Sequence, residues 1–340
     1  MIILNLLNKG GLVLKSMRDI AREAGVSLAT VSRYINKNGY VSEEAKKKIE
    51  KIVKQTNYTP NELARAIFSK NSKIIGLLVP NISNPYFNEL ALIIEEYVSK
   101  HGYSIFLCNT NDDPTKEREY INVLQGHRVA GIFTVRAQCK KEYELFTVPV
   151  VSFESIISDD IVTIVTDNYQ GGKLAFDHLK SNGCNHLLHI TGLDFSKAVH
   201  DRYQGFLDEA KKEGMSVDII RFESDFQRKM LEANIKTLEN IEKYDGVFVF
   251  NDIAAATVIR YFKQKNVHIP DEVQVIGFDN SYIGEFLFPS LTTIEQSVQE
   301  VGNKMADALI HLINGETIEN KIIMIQPNVL VRESTKAKKE

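Results

Sequence analysis

The sequence predicts a small all-α head followed by a larger α/β body built on parallel sheets. Apolar residues near the N-terminus recur at helical spacing, whereas from Ile74 onward short apolar runs alternate with amphipathic stretches. The charge is divided as well. Residues 17–73 contain twelve Lys and Arg against six Asp and Glu, although the whole chain carries a net charge of −3. A basic head indicates a polyanionic partner, and the alternative is a solvated basic face.

Composition sets the broad class of the protein. A length of 340 residues suggests two or three domains, and 44% hydrophobic with 25% charged residues is ordinary for a soluble globular protein. Cys108, Cys139 and Cys184 lie far apart, which favours a reducing cytosol over a disulfide framework or structural zinc. No metal or cofactor is expected. Residues 1–16 lack the features of a signal peptide and are expected to form a disordered extension, so a cytoplasmic location and no membrane contact are expected.

The head has the pattern of a helix-turn-helix. Its apolar period predicts helices at about 18–24, 28–36 and 43–56. Gly25 supplies the positive φ that a sharp turn after the first helix needs. Ser27 and Ser42 are expected to cap the second and third helices.

The second of these helices is the expected DNA reader. Val31 and Ile35 face inward, so Arg33 is left to fork onto a guanine, while Leu28 and Ala29 meet thymine methyl groups. Polar side chains suited to phosphate contacts surround them: Ser27, Thr30, Ser32 and Asn36. The alternative interpretation is an ordinary helical hairpin.

The body contains eight apolar runs that read as buried strands. They cover residues 74–80, 103–109, 130–135, 148–153, 161–167, 186–192, 245–251 and 273–279. Continuous apolar strands are typical of parallel sheets covered by helices on both faces. Two sheets fit this length better than one. Ligands of such sheets bind at the carboxyl ends of the strands, so the polar residues that follow the strands are the candidates.

At this point the residues carry a resemblance to a known family. The shared motifs are IA–AGVS–ATVSR–IN at 20–36, NYTPN–LARA at 57–66, IIGLLVPNISNPYF at 74–87, DRYQGF at 201–206, FNDIAA at 250–255, VIGFDN at 275–280 and PSLTTIEQ at 289–296. In these motifs the chain resembles the lac repressor and purine repressor (LacI/GalR) family of bacterial transcription regulators. The resemblance covers the chain after residue 16.

The resemblance implies a homodimer whose two heads read adjacent major grooves of a near-palindromic operator. A hinge helix at 61–68 would lie in the minor groove and insert an apolar wedge. The expected contacts there are Asn61, Ala64, Arg65 and Ile67. Ile67 stands where the family usually has leucine, which puts the preferred central base step in doubt. A plain linker helix is the alternative for this segment.

The resemblance also sets the expected domain boundaries. These are an extension at 1–16, the head at 17–60, hinge and linker at 61–73, a two-lobed body at 74–333 similar to periplasmic binding proteins, and a tail at 334–340. Lobe one is expected at about 74–165 and 295–320, and lobe two at about 166–292 and 321–333.

The effector is expected to bind between the lobes. The candidate contacts are Asn84, Tyr86, Phe87 and Phe153 from lobe one, with Arg202, Phe226, Asn251 and Asp279 from lobe two. Carboxylate, amide, guanidinium and aromatic rings together suit a sugar or sugar phosphate. Alternatives stay open: Asp279 caps a turn, Phe226 belongs to the core, and Asp167 with Asn168 caps a helix. Ser196 and Ala198 depart from the polar residues of the purine repressor, which argues against a purine.

Three function classes compete. The leading one is an operator-binding repressor of a carbohydrate-utilisation operon, switched by a small molecule. The alternatives are a regulator that responds to a non-sugar metabolite and a solute-binding module without a DNA role, against which the basic head argues. An enzyme is not expected, because the sequence contains no P-loop, GxGxxG, GxSxG or HExxH motif. The C-terminus has no heptad helix, so a dimer is expected rather than a tetramer.

Overall fold

The chain folds into two compact units, residues 1–70 and residues 71–340. The computed structural model describes residues 15–36, 38–56, 58, 72–192, 196–222, 234 and 238–336. None of the helices in these ranges has both the length and the hydropathy of a transmembrane span. The predicted fold class is confirmed: the first unit is all-α and the second contains two mainly parallel sheets.

The head consists of three short helices. They are α1 (Met17–Ala24), α2 (Leu28–Asn36) and α3 (Glu43–Thr56), within one residue of the predicted bounds. Gly25 ends α1 in the left-handed conformation, with φ 64°. Val31 of α2 packs with Ile20 of α1 and Ile49 of α3, and all three are fully buried. This small core fixes the angle between α1 and α2.

The caps of these helices follow the predicted chemistry, with one change of boundary. The Ser27 hydroxyl accepts the Thr30 N–H at 3.1 Å, and the Ser42 hydroxyl accepts the Ala45 N–H at 3.3 Å. Ser16 and Asp19 form a capping box at the start of α1. Ser16 therefore belongs to the head, and the predicted end of the extension at residue 16 is one residue late.

Lobe one is built on a six-stranded parallel sheet in the order β11-β5-β4-β3-β1-β2. Its strands are β1 (Ile74–Val79), β2 (Ser104–Asn109), β3 (Gly131–Val135), β4 (Val150–Phe153), β5 (Val162–Thr166) and β11 (Ile322–Ile325). Its helices are α4 (Pro85–Lys100), α5 (Pro114–Gly126), α6 (Lys140–Glu144) and α10 (Val298–Ile313). β1 and β3 are buried on both faces, as their apolar runs predicted.

Lobe two repeats this topology in the order β12-β10-β9-β8-β6-β7, with only β12 antiparallel. Its strands are β6 (Leu187–Thr191), β7 (Val217–Arg221), β8 (Gly246–Val249), β9 (Gln274–Asp279), β10 (Thr292–Glu295) and β12 (Asn328–Leu330). Its helices are α7 (Asn168–Ser181), α8 (Lys197–Lys212) and α9 (Asp252–Gln264). Each sheet has a switch point, between β1 and β3 and between β6 and β8, where ligands of such sheets bind.

The chain crosses between the lobes three times, and this corrects the predicted lobe boundaries. The crossings follow β5 at Asp167, β10 at Gln296 and β11 at Gln326. The prediction that residues 321–333 all belong to lobe two is wrong, because Ile322–Ile325 pairs with β5 as an edge strand of lobe one. Its apolar residues complete the first sheet before the chain returns to lobe two.

The predicted tail at 334–340 is also placed too early. Ser334 and Thr335 are buried, and the Ser334 hydroxyl donates to the Val275 carbonyl at 2.6 Å. The Thr335 hydroxyl lies 2.8 Å from His178 Nε2 of α7. These residues fasten the end of the chain to lobe two, so the body extends to at least Thr335.

Candidate functional site

The head presents one exposed side of α2. Leu28 is 44% exposed, and Ala29 and Arg33 are exposed as well. The hydroxyls of Ser27 and Thr30 lie 2.8 Å apart at the start of this helix. Whichever hydroxyl donates in that pair, the other keeps its proton for an outside acceptor such as a phosphate oxygen. Ser32 is half-buried, and the Asn36 side chain lies outside the described residues.

The loop after α2 adds two residues that the sequence did not single out. Gly39 has a φ of 108°, and a Cβ built on it would lie 3.4 Å from Arg33 Cδ. The Arg33 stem therefore lies against the glycine backbone. Tyr40 is 87% exposed beside it. The only sequence signal was Gly39 itself, in a turn between two helices. The predicted hinge contacts Asn61, Ala64, Arg65 and Ile67 lie outside the described residues.

A second candidate site is a cavity at the carboxyl ends of both sheets, open to solvent and with a free volume of about 40 Å³. It brings together seven of the eight predicted effector contacts, and the eighth, Phe226, lies outside the described residues. Those seven are Asn84, Tyr86, Phe87, Phe153, Arg202, Asn251 and Asp279. The wall also contains Arg136, Glu154, Ser196, Phe250 and Gln296. This free volume is below the usual range for small-molecule sites, so a sugar fits only if the walls of the cavity move apart.

Aromatic rings form the apolar wall of the cavity. Tyr86 stacks on Phe153 with ring centroids 6.2 Å apart and meets Phe87 edge-on at 5.8 Å. The Tyr86 hydroxyl is buried and has no hydrogen-bond partner among the described residues. Burial raises the pKa of Tyr86 well above its usual value, and the charges of Asp279 and Glu154 add to the shift. The neutral hydroxyl is thus a donor and acceptor at the site.

Arg202 of α8 is the buried cation of the cavity. Its Nε donates to Asn168 Oδ1 at 2.8 Å, and one Nη1 donates to the Phe250 carbonyl at 2.7 Å and to Asp279 at 3.3 Å. The guanidinium also lies 3.5 Å from the centroid of the Phe278 ring. Among the described residues, no hydrogen bond uses its Nη2. Its two N–H groups are the ones left for a ligand.

These contacts close into a polar ring. Glu154 accepts the Thr166 N–H at 3.0 Å and the Asn168 amide at 2.9 Å. Gln296 accepts the Thr166 hydroxyl at 3.1 Å and donates to Asp279 at 2.6 Å. The polar ring therefore runs through six residues: Arg202, Asn168, Glu154, Thr166, Gln296 and Asp279. The ring includes residues at two of the three crossings between the lobes. The polar groups of the cavity therefore belong to the same hydrogen-bond network as these crossings.

Three residues of the cavity have left-handed backbones. Arg136, Glu154 and Asp279 have φ values of 58°, 60° and 109°, and each follows or ends a strand. Side chains other than glycine adopt this conformation at a cost of about 1–3 kcal/mol, and such residues cluster at ligand sites. The turn of the backbone directs these side chains out of the sheets and toward the cavity.

The asparagines of the site have a second role as helix caps. Asn84 accepts the Tyr86 N–H at 3.0 Å and begins α4, while Asn251 accepts the Ala254 N–H at 2.8 Å and begins α9. Asp167 caps α7, as one of the open alternatives held. Asn168, paired with it in that alternative, instead belongs to the polar ring.

The sequence did not single out Arg136, Glu154 and Gln296 as ligand contacts. Arg136 and Glu154 directly follow predicted strands, where ligand contacts are expected, so a signal existed for these two. Gln296 follows β10, which the sequence did not predict as a strand. The quoted motifs do not include Arg136 or Glu154, whereas Gln296 is the last residue of the PSLTTIEQ motif. Asp279 does not act as a simple turn cap, because Arg202 and Gln296 both donate to it.

A helix-turn-helix head on a two-lobed α/β body defines a class of ligand-responsive DNA-binding proteins. The family model described as bacterial regulatory proteins, lacI family, matches residues 16–61, and the model of a periplasmic binding protein-like domain matches residues 176–335. The chain belongs to the lacI family of bacterial transcription regulators.

Curated relatives cover almost the whole chain. The ribose operon repressor of Halalkalibacterium halodurans is 36% identical over 94% of this chain and 97% of its own length. The sucrose operon repressor of Streptococcus mutans is 34% identical over 91% and 96%. These relatives are repressors, in agreement with the expectation that the protein is a DNA-binding regulator and not an enzyme.

Two solved structures are informative. A periplasmic binding protein/LacI transcriptional regulator from Alkaliphilus metalliredigens, complexed with D-xylulofuranose, is 52% identical with a TM-score of 0.76, over 78% of this chain and all of that one. The lac repressor dimer bound to operator has a TM-score of 0.82 at 21% identity, over 95% and 99%. The second shows a shared fold.

Proposed function

We propose that the protein represses a carbohydrate-utilisation operon and that an uncharged monosaccharide, bound in the cavity, controls its affinity for operator DNA. The observation that carries this is the polar ring beside an aromatic wall. Carboxylate and amide oxygens accept sugar hydroxyls, guanidinium N–H groups donate to them, and rings cover the C–H faces of the sugar.

The charge of the cavity favours a neutral sugar over a sugar phosphate. Each of its two arginines already has a carboxylate partner among the described residues. Arg202 pairs with Asp279 at 3.3 Å and Arg136 with Asp112 at 3.0 Å. A phosphate would lie near Glu154 and Asp279 without an uncommitted cation to offset the repulsion.

The similar proteins narrow the class of sugar further. A ketopentose in its furanose form is bound by the Alkaliphilus protein, which shares half of its residues with this body. The relatives from Halalkalibacterium halodurans and Streptococcus mutans are repressors of a ribose operon and a sucrose operon. We therefore take a pentose or ketopentose as the leading effector class.

DNA recognition is assigned to α2 and the hinge. Arg33, Leu28 and Ala29 would read base edges, with Ser27, Thr30, Ser32 and Asn36 on phosphates. Asn61, Ala64, Arg65 and Ile67 would enter the minor groove. A homodimer would place two heads on one operator. Because operator DNA lies in the cytoplasm of a bacterium, we expect the protein in the cytoplasm as well.

A thermal-shift screen tests the effector class. The set contains D-xylulose, D-ribose, D-xylose, D-glucose, the 5-phosphates of the pentoses, and hypoxanthine. We expect a concentration-dependent rise in Tm with at least one free pentose or ketopentose and a smaller rise with its phosphate. A rise in Tm with a pentose phosphate but with none of the free sugars contradicts the proposal. The absence of any rise in Tm with every sugar of the set contradicts it as well.

Arg33→Ala tests the DNA assignment. We expect the variant to lose its preference for an operator, selected in vitro with the wild type, over random DNA at the same salt concentration. Arg22→Ala is the matched control, because Arg22 is exposed on α1 and pairs with Asp19. Preserved preference in Arg33→Ala would show that another element reads the bases.

A further inference from the structure

The loop that carries Arg136 into the cavity is held by contacts outside the cavity. It runs from Arg136 to Cys139, between β3 and α6. Arg136 itself is left-handed, with φ 58°, and its N–H donates to the Phe153 carbonyl at 3.2 Å. A backbone in this conformation relaxes unless its surroundings determine it. Something must therefore fix the residues that follow Arg136.

Glu117 of α5 makes the contacts that fix them. Its side chain is buried, and its Oε2 accepts the N–H of Gln138 at 3.1 Å and the N–H of Cys139 at 3.2 Å. The Tyr143 hydroxyl donates to its Oε1 at 2.8 Å. Two consecutive backbone donors and one side-chain donor thus bind one carboxylate. Because hydrogen bonds to a carboxylate are stronger than those between neutral groups, these contacts hold the loop in place.

The same loop is bound to the partner of Arg136. The Gln138 side chain donates to the Asp112 carbonyl at 3.0 Å, and the Asp112 carboxylate accepts from Arg136 at 3.0 Å. Asp112 is also left-handed, with φ 53°. The position of Arg136 is thus set from two sides: by Asp112 at its guanidinium and by Glu117 through the backbone two and three residues later.

We propose that Glu117 is a positioning residue for effector binding: it acts through the 136–139 loop to hold the Arg136 guanidinium at the cavity wall. The inference rests on the proposed function, because that function makes Arg136 part of the effector site. Glu117 itself does not line the cavity. Burial raises the pKa of its carboxyl, while the donors from Tyr143, Gln138 and Cys139 oppose the shift.

Calorimetric titration with the sugar found in the screen tests the proposal. Glu117→Gln keeps the size of the side chain but turns an amide N–H₂ toward backbone donors. We expect its sugar Kd to rise about tenfold, the effect of losing one charge-assisted hydrogen bond. Glu142→Gln is the matched control, a half-buried carboxylate on α6 that pairs with Arg118 at 2.7 Å, and we expect less than a twofold change.

A double-mutant cycle separates positioning from general stability. In an Arg136→Met background we expect Glu117→Gln to change the Kd less than twofold, although it still lowers Tm. Equal losses in both backgrounds, or no loss in the wild-type background, overturn the proposal. If Glu117→Gln does not fold, Glu117→Asp, which keeps the charge but withdraws it by one methylene, takes its place with the same expected outcomes.

A measurement without sugar distinguishes this proposal from the proposed function. The Nε–H resonance of Arg136, identified by its loss in Arg136→Lys, is recorded in the ligand-free protein. We expect it to shift in Glu117→Gln and to stay in place in Glu142→Gln. An unchanged resonance in Glu117→Gln overturns the positioning role even if sugars bind, and a shift supports it even if the screen finds no sugar.

Discussion

Tyr86 shows how a single buried hydroxyl can distinguish the free from the bound state. In the free protein it is fully buried without a partner among the described residues, so it carries the cost of desolvation. A sugar hydroxyl would complete the missing hydrogen bond. The Tyr86 hydroxyl therefore lowers the stability of the free protein and raises its affinity for the sugar.

Tyr86→Phe is expected to change the two quantities in opposite directions. Removing the unpaired hydroxyl should raise the free energy of unfolding of the free protein by about 1 kcal/mol and weaken sugar binding about tenfold. Chemical unfolding and calorimetric titration measure these. Tyr143→Phe is the contrast, because its hydroxyl bonds Glu117 and Thr134, and it should lose stability. A Tyr86→Phe protein that is less stable, or binds as tightly as wild type, contradicts this role.

Asp252 gives the body a pH dependence. It is fully buried, accepts the Ser281 N–H at 2.7 Å and the Thr293 hydroxyl at 2.6 Å, and so fastens the turn after Asp279. Burial, with the nearby Asp279 charge, raises the pKa of Asp252 to about 8. Because the folded pKa exceeds the unfolded value near 4, the folded state binds the proton more tightly, and stability falls as pH rises from about 4 to about 8.

Asp252→Asn should remove this part of the pH dependence. Urea unfolding at pH 5, 6, 7 and 8 is expected to show wild-type stability falling more steeply than that of the variant, by up to about 1 kcal/mol per pH unit. The control is Asp218→Asn, since hydrogen bonds from Tyr244 and Lys243 lower the pKa of Asp218 and leave it ionised over this range. Parallel curves for Asp252→Asn and wild type would refute the assignment.

At the scale of elements, the cavity depends on how closely α7 and α8 pack. Gly172 of α7 and Gly205 of α8 lie at the crossing. A Cβ on Gly172 would lie 2.1 Å from the Arg202 carbonyl oxygen, and one on Gly205 would lie 2.0 Å from the Tyr169 carbonyl oxygen. Since α7 carries Asn168 and α8 carries Arg202, this contact sets one side of the polar ring.

Gly205→Ala should therefore affect stability and binding together. Forcing the helices apart is expected to lower the free energy of unfolding by about 2 kcal/mol or more and to weaken sugar binding by lengthening the Arg202–Asn168 bond. Gly126→Ala at the open end of α5, where a Cβ would meet nothing, should leave both nearly unchanged. Chemical unfolding and titration give both values. Wild-type affinity in Gly205→Ala would mean that the crossing does not set the ring.

The sequence predicted regular elements well where one local signal decides them. Helical period and caps located α1, α2 and α3, and apolar runs located eight strands. β7, β10, β11 and β12 were missed as strands. Their runs are short, and β7, β11 and β12 are edge strands with exposed residues, so periodicity and burial give little signal. Whether Ile322–Ile325 joins one sheet or the other depends on tertiary pairing with β5.

At the scale of the whole molecule, the polar ring joins groups that the sequence separates widely. The ring includes Glu154 after β4 of lobe one, Gln296 after β10 of lobe two and Arg202 on α8 of lobe two. Their hydrogen bonds form only in the folded chain, so the order of residues in the sequence does not predict them. Motifs identified Arg202 and Asp279, but no motif joins Thr166 to Gln296. Both of these residues lie at crossings between the lobes. A ligand that alters the polar ring therefore acts directly on these crossings.

This arrangement implies that sugar binding and DNA binding are linked. A ligand changes an equilibrium only through different affinities for the two states, and a coupling of about 1.4 kcal/mol alters affinity tenfold. The polar ring is the place where lobe geometry and ligand contacts meet. Which state binds DNA more tightly follows from the sign of the measured coupling.

The most direct test is the affinity for a selected operator, measured by fluorescence anisotropy at fixed salt with and without the sugar that gives the largest thermal shift. For the wild type we predict that saturating sugar changes the operator Kd by about tenfold or more, and that Asp279→Ala, which retains its operator affinity, no longer responds. An operator Kd that is the same with and without saturating sugar would contradict the account.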